Sequence, residues 1–276
     1  MPELPEVETI RCDLYPRVCG RTVAAVRITP DKVPLIDGIS PTEFKSRMKG
    51  RRIEALSRRG KYLIFHLFGD LYLIIHLRMT GALLHRNAGD DADRYTRAIL
   101  ALDDGTELRF TDLRKLGRFR LVAHPDEVVG KLGPEPLDAS FTAAALKRAI
   151  ERRKAPIKAL LLDQRALAGV GNIYADEALF AARIHPQRGA DTLTEAEIGR
   201  LHRSIRRVLR DALGNRGSSF RDYVDGGGRE GTHQLRVKVF RRTGQPCYVC
   251  GAEIARIKLG GRSTHFCPKC QPHGGS

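Results

Sequence analysis

The chain lacks any apolar run long enough to cross a bilayer. Its longest, around residues 71–77, is broken by His76, far short of the roughly 20 residues a spanning helix needs. The first ten residues also lack the basic-then-apolar layout of a secretory signal, carrying Glu3, Glu6 and Glu8 instead. A cytosolic setting with reduced thiols is therefore the expectation. No internal repeat and no low-complexity tract is present. Acidic residues are scarce, 32 Asp and Glu against 48 Lys and Arg, for a formal charge of +16. That imbalance favours an anionic partner, nucleic acid or a charged membrane surface, with a merely solvated basic surface as the alternative.

What is present is apolar content of 42% over 276 residues. That is enough to bury a core in one large domain or two smaller ones, so disorder is excluded. The charge is uneven. Residues 1–140 carry 23 basic and 20 acidic side chains, residues 141–276 carry 25 and 12. An excess gathered in one half resembles a binding surface more than general solubility.

Val7, Ile10, Leu14 and Val18 recur at helical spacing, with Gly20 as a stop and Pro16 expected to distort the last turn. Strand-like runs follow at 22–29, 52–56, 61–68, 71–76, 98–102, 107–111 and 118–122, with the hairpin signal Asp104-Gly105 between two of them. About seven short strands after one helix predict a β-sandwich or barrel. Gly133-Pro134-Glu135-Pro136 marks a boundary, beyond which the period becomes helical at 141–154, 156–164, 172–183 and 195–214. Thr194 and Glu197 form a capping box for the last of these. Residues 215–233, with five glycines, read as a mobile loop.

Cys247-x2-Cys250 and Cys267-x2-Cys270 have the spacing of a tetrahedral zinc site. A hairpin turning at Gly260-Gly261 lies between the two knuckles and carries Arg256, Lys258 and Arg262. Its cations either balance the thiolates or grip phosphate. Cys12 and Cys19 read as small buried side chains. Gly169-Val170-Gly171-Asn172 joins two helices, either as a plain connection or as a phosphate-binding turn. The arginines at 200, 203, 206, 207 and 210 read as a solvated face.

Pro2-Glu3-Leu4-Pro5-Glu6-Val7-Glu8 has two readings. Proline and acidic residues favour the first turn of a helix. Alternatively, loss of Met1 leaves Pro2 as a secondary amine, a nucleophile with a pKa of about 8.

The N-terminal run resembles the start of the formamidopyrimidine-DNA glycosylases. The resemblance continues in order through Gly60-Lys61-Tyr62-Leu63, Ile75-His76-Leu77-Arg78-Met79-Thr80-Gly81, Thr111-Asp112-Leu113-Arg114, Leu132-Gly133-Pro134-Glu135-Pro136-Leu137, Gly169-Val170-Gly171-Asn172-Ile173-Tyr174 and the C-terminal module of paired cysteines. It implies an α+β multidomain fold: a catalytic N-terminal helix and β-sandwich at 1–134, a helix–two-turn–helix domain with a lesion-covering loop at 135–235, and a zinc finger at 236–276. It also implies one structural Zn2+, duplex DNA with oxidised bases or abasic sites as partner, and action as a bacterial cytoplasmic monomer.

By the same resemblance Pro2 is the nucleophile at C1′, Glu3 the acid at the sugar, and Lys61 the lysine assisting strand cleavage. Glu6 and Lys158 are supporting residues. Asn172 and Arg262 hold the backbone beside the lesion, and His76 is either a further phosphate contact or a hydrogen-bonded core histidine. Met79, Arg114 and Leu116 occupy the positions that fill the hole left by a flipped base, with Leu116 standing where the family has Phe. Val239-Phe240-Arg241-Arg242, in the strand expected before the zinc finger, departs toward the endonuclease VIII branch that prefers oxidised pyrimidines. The Leu-Pro after Glu3 favours the purine branch. A catalytically inactive DNA-binding module is the alternative of a different class. Pro2, Glu3 and Lys61 together argue against it, since binding alone needs neither an imine-former nor its acid.

Overall fold

A computed structural model describes residues 1–151 and 153–273. The chain divides into two compact units, one of Met1–Lys131 with Asn215–Gln234, the other of Leu132–Gly214 with the residues from Leu235 onward.

The first unit opens with helix α1 (Leu4–Val18), which runs through Pro16 without a break. Strands β1 (Val23–Ile28), β7 (Thr96–Leu102), β8 (Thr106–Asp112) and β6 (Gly81–Asn87) form a four-stranded sheet in that order. Strands β2 (Ile36–Asp37), β9 (Arg118–Val122), β5 (Leu71–His76), β4 (Tyr62–Leu67) and β3 (Ile53–Arg59) form a five-stranded one. The inward residues of both sheets, among them Leu63, Phe65, Leu73, Ile75, Leu83, Leu100, Leu108, Phe110 and Phe119, share one core. The sandwich alternative of the sequence reading is thus the observed one, and Val7, Ile10, Leu14 and Val18 of α1 join its core. Each such buried aliphatic side chain contributes roughly 1.5–3 kcal/mol.

Three elements were invisible to the periodicity. Helix α2 (Pro41–Met48) is too short to show a period, although Ser40 caps it by accepting from the Glu43 amide. Strand β6 reads Gly-Ala-Leu-Leu-His-Arg-Asn, which does not alternate. Strand β2 has only two residues. A four-residue helix, α3 (Asp126–Val129), ends this part of the unit.

The second unit holds α4 (Ala143–Ile150), α5 (Ile157–Leu162), α6 (Asn172–Ala182) and α7 (Glu195–Gly214), then the hairpin β10 (Ala255–Leu259) and β11 (Arg262–Phe266). Helix α6 buries nearly every residue and is the central element of the unit. Helix α7 buries only one stripe, including Ile198, Leu201, Ile205 and Leu209. Its N-terminus carries the expected capping box, with reciprocal hydrogen bonds between Thr194 and Glu197. Both Gly260 and Gly261 have positive φ, as a two-residue hairpin turn of this hand requires.

Candidate functional site

In the first unit, Pro2 and Glu3 precede the first helical residue and are buried, as are Glu6 and Lys61. The Glu6 carboxylate accepts two backbone N–H groups, from Glu3 at 2.8 Å and from Ser218 at 2.8 Å. Glu6 thereby ties the start of α1 to the glycine-rich segment. Gly217 must be glycine there: its φ is +80°, and a Cβ would lie 2.8 Å from Glu6 Oε1.

Lys61 follows the β3–β4 turn at Gly60, whose carbonyl accepts from Arg58 at 2.9 Å. Arg58 also pairs with Glu8 of α1 at 2.9 Å, which fixes the turn to the helix. The amine of Met1 senses this cluster. Burial pushes its pKa below the usual value, the charges of Glu3 and Glu6 oppose that, and Lys61 adds to it. Two buried carboxylates and a buried lysine thus act together on the start of the chain, an arrangement suited to nucleophilic and acid catalysis.

His76 ends β5 opposite Tyr62 of β4, and the two rings stand edge to face at 4.6 Å. Its Nδ1 accepts the Arg78 amide at 2.9 Å, so Nε2 carries the hydrogen of the neutral ring. Burial, then the charges of Arg78 and Lys61, push its pKa down to about 3. A phosphate would therefore meet a neutral donor here. The ring should show no titration between pH 5 and 8 in an NMR pH series.

The expected wedge residues lie on two neighbouring connections, β5–β6 and β8–β9. Buried Asp112 organises both, accepting from Thr80 Oγ1, the Arg114 amide and the Gly117 amide. Met79 is 41% exposed, and Arg114 donates to its sulfur at 2.9 Å. Leu116 is half-buried, so its side chain projects less than Met79 does. Asp112 went unassigned in the sequence reading although it lies in the Thr111–Arg114 block.

The segment read as a mobile loop is a closed turn. Asp225, fully buried, accepts the amides of Gly227 and Arg229 and the guanidinium of Arg216. Arg216 also pairs with Asp13 of α1, which in turn accepts the Gly226 amide. The glycines serve these close approaches; Asp225 belongs to the segment itself, whereas Glu6 and Asp13 tether it from α1, 212 and 213 residues away in sequence. Two further expectations are corrected. Cys12 is exposed on α1, pointing away from the sandwich core, and Cys19, just past the helix, is half-buried at the edge of that core. Residues 239–242 form no strand. They wrap around the Glu177 carboxylate of α6, which accepts the amides of Lys238, Val239 and Phe240.

In the second unit, Asn172 is the first residue of α6. The preceding turn is shaped by Gln164, whose amide group accepts from Gly169 and donates to the Val170 carbonyl. Asn172 donates to the Ser263 carbonyl at 2.9 Å, beside exposed Arg262. One amide hydrogen of Asn172 is left for another acceptor. The turn and the hairpin therefore present one face.

Lys158 is fully buried behind that face, 2.6 Å from Asp176 and donating to Thr264 Oγ1 at 2.8 Å. Asp176 also accepts the amide and the ring Nδ1 of His265. Lys158 thus holds β11 in place from within the unit and is not presented on its surface. Lys158→Ala strands the Asp176 charge. Unfolding measurements should show it destabilised by about 3–5 kcal/mol, with duplex binding weakened in parallel. Unchanged stability would contradict this role.

The Sγ atoms of Cys247, Cys250, Cys267 and Cys270 all lie within 4.8 Å of one another. Tetrahedral Zn–S bonds of about 2.3 Å require S···S separations near 3.8 Å. The observed 3.9 Å for Cys247–Cys270 and 3.4 Å for Cys250–Cys267 suit that ion. The amides of Val249 and Cys270 point at the Cys247 and Cys267 sulfurs, stabilising thiolates. The site fits one structural zinc with no open position.

Residues 1–119 match the family described as formamidopyrimidine-DNA glycosylase N-terminal domain, and 132–223 that described as formamidopyrimidine-DNA glycosylase H2TH domain. Residues 244–272 match the zinc finger found in FPG and IleRS. The formamidopyrimidine-DNA glycosylase of Heliobacterium modesticaldum is 48% identical, covering 98% of this chain and 100% of its own. A Lactococcus lactis Fpg structure with Fapy-dG-containing DNA is 36% identical, with a TM-score of 0.88 over 98% of this chain and 100% of that one. Another from the same organism, with abasic-site DNA, is 37% identical, with a TM-score of 0.89 over 98% and 99%.

Proposed function

The chain belongs to the formamidopyrimidine-DNA glycosylase family, and from that premise we propose that it excises oxidised purines from duplex DNA and then cleaves the strand. The observation that carries this reading is the burial of Pro2 together with Glu3, Glu6 and Lys61, whose three charges all reach the start of the chain.

Once Met1 is removed, the Pro2 nitrogen attacks C1′ as the C1′–base bond breaks. The base leaves with the bonding pair and takes up the proton that the alkylated nitrogen sheds, which restores the nitrogen lone pair. Glu3 then gives its proton to the ring oxygen as the C1′–oxygen bond opens, and the nitrogen lone pair completes an iminium. A secondary amine keeps that iminium cationic, so it withdraws electrons and acidifies the neighbouring C2′–H. Loss of that proton expels the 3′ phosphate, and a second elimination expels the 5′ phosphate. Lys61 assists these steps and contacts phosphate. Hydrolysis of the iminium regenerates the amine.

A base inside the stack is shielded at its sugar and must be extruded first. Met79, Arg114 and Leu116 fill the gap it leaves. Met79→Ala should lower duplex-lesion cleavage, whereas Leu116→Phe should be tolerated, since it restores an aromatic wedge. Equal cleavage by Met79→Ala and the parent would contradict this placement.

Phosphate contacts come from His76 in the first unit and from Asn172 and Arg262 in the second. Removing one cationic partner of a phosphate should lower the slope of log K against log salt by about 0.9. Arg262→Ala should show that change on damaged and undamaged duplexes alike. Asn172→Ala and His76→Gln should weaken binding with the slope intact, because both residues are neutral. An Arg262→Ala protein altered only in lesion preference would instead be reading the base.

The reading is tested on two duplexes, one with 8-oxoguanine opposite cytosine and one with an oxidised pyrimidine. Faster cleavage of the first is expected. The reverse order would favour an endonuclease VIII-like preference.

A further inference from the structure

The arginine stripe of α7 takes no part in the chemistry above. From 199 to 210 the helix has five arginines and no acidic residue. Arg206 has a structural role, donating to the carbonyls of Pro136 and Asp138. Arg203, Arg207 and Arg210 stand outside such a role. They border solvent, and among the described residues no carboxylate lies within ion-pair distance of them. Like charges one turn apart, such as Arg203 and Arg207, destabilise a helix. Ordinary solvated faces avoid this by interleaving carboxylates.

These side chains border a concave surface. A groove of about 550 Å3 lies along them beside Ala181. It adjoins a second, of about 960 Å3, that shares Ala181 and Arg200 and continues past Ala182, Val249 and Lys269 to Pro272. The grooves open at the last turn of α6, whereas Asn172 stands at its first residue. The length of that helix separates the two ends by about 16 Å. The floor is partly apolar and the rim cationic. Arg203, Arg207 and Arg210 are stepped by roughly 4.5–6 Å along the helix. Carboxylates on one side of an extended chain recur at about 6.6 Å, close to that step. A convex duplex backbone would have nothing to place on the apolar floor.

We propose that this groove binds an acidic, apolar-containing polypeptide segment of a partner protein, while the opposite end of α6 remains available to DNA. The full-length, zinc-loaded protein is titrated against a fluorescent decapeptide of alternating Asp or Glu and Leu, with its Lys-for-acid counterpart as control. Salt-sensitive binding of the acidic peptide alone is expected. An Arg203→Ser/Arg207→Ser/Arg210→Ser protein should bind it at least tenfold more weakly, with cleavage of an 8-oxoguanine duplex unchanged. No binding by the parent, or equal binding by parent and triple variant, would overturn the proposal. A triple variant whose duplex affinity and salt slope fall would show the stripe to be a DNA surface instead.

Discussion

Borohydride added during turnover is expected to join the protein covalently to lesion-containing duplex through the nitrogen of Pro2, and an N-terminal extension to abolish that join. If Pro2 only opened a helix, a retained Met1 would cost little. If it is the nucleophile, its nitrogen must be a free amine, because an amide lone pair is delocalised and cannot form an iminium. The site favours the free, unprotonated amine. Burial holds the amine of Met1, one residue ahead of Pro2, below its usual pKa despite Glu3 and Glu6. Loss of Met1 moves the free amine to Pro2, a buried residue in the same surroundings, so its pKa should fall likewise. Trapping on a pre-formed abasic site should then persist below about pH 8, the ordinary amine value, before falling as the amine protonates. Glu3→Gln should keep duplex binding and lose about 10²–10⁴-fold in base excision, the range for a proton-transfer group. Lys61→Ala should impair lesion processing yet leave some trapping on an abasic site. Undiminished trapping by a protein with a blocked N-terminus would remove the mechanism.

Stripping the metal should have the next largest effect. One zinc per chain is expected by metal analysis, and Cys247→Ser or chelation should abolish duplex binding. The finger's apolar packing is small: Val239, Cys247, Ile254 and Cys267 pack with Phe180 of α6 in a cluster that includes two of the metal ligands. Structural zinc supplies roughly 10–16 kcal/mol of apparent binding energy to such modules. Without it the hairpin loses its base, the Lys158–Asp176 contacts alone should not keep β11 ordered, and Arg262 and the Ser263 carbonyl leave Asn172. Active protein found free of zinc would contradict this.

Local chemistry was readable along the chain. The 3.6-residue period of Val7, Ile10, Leu14 and Val18, the Thr194–Glu197 box, the Asp104-Gly105 and Gly260-Gly261 turns and the paired CxxC knuckles each involve neighbours in sequence, so each prints a local pattern. The motif order likewise carried the family and the candidate residues. What only the tertiary structure decided rests on partners distant in sequence. Whether the strands close as a barrel or stack as a sandwich depends on pairings such as β1 with β7, which periodicity does not encode. Glu6 was legible as a helix-start carboxylate, but its second acceptor site is filled by Ser218, 212 residues away. Lys158 was legible, through the resemblance, as a supporting residue near the site. Its burial against Asp176 and β11 follows from how α5, α6 and the hairpin pack, and that packing makes it a positioning residue instead of a surface contact. The glycine-rich stretch looked loose because glycine signals freedom locally. Asp225, Arg216 and Asp13 use that freedom to draw the backbone into a tethered turn.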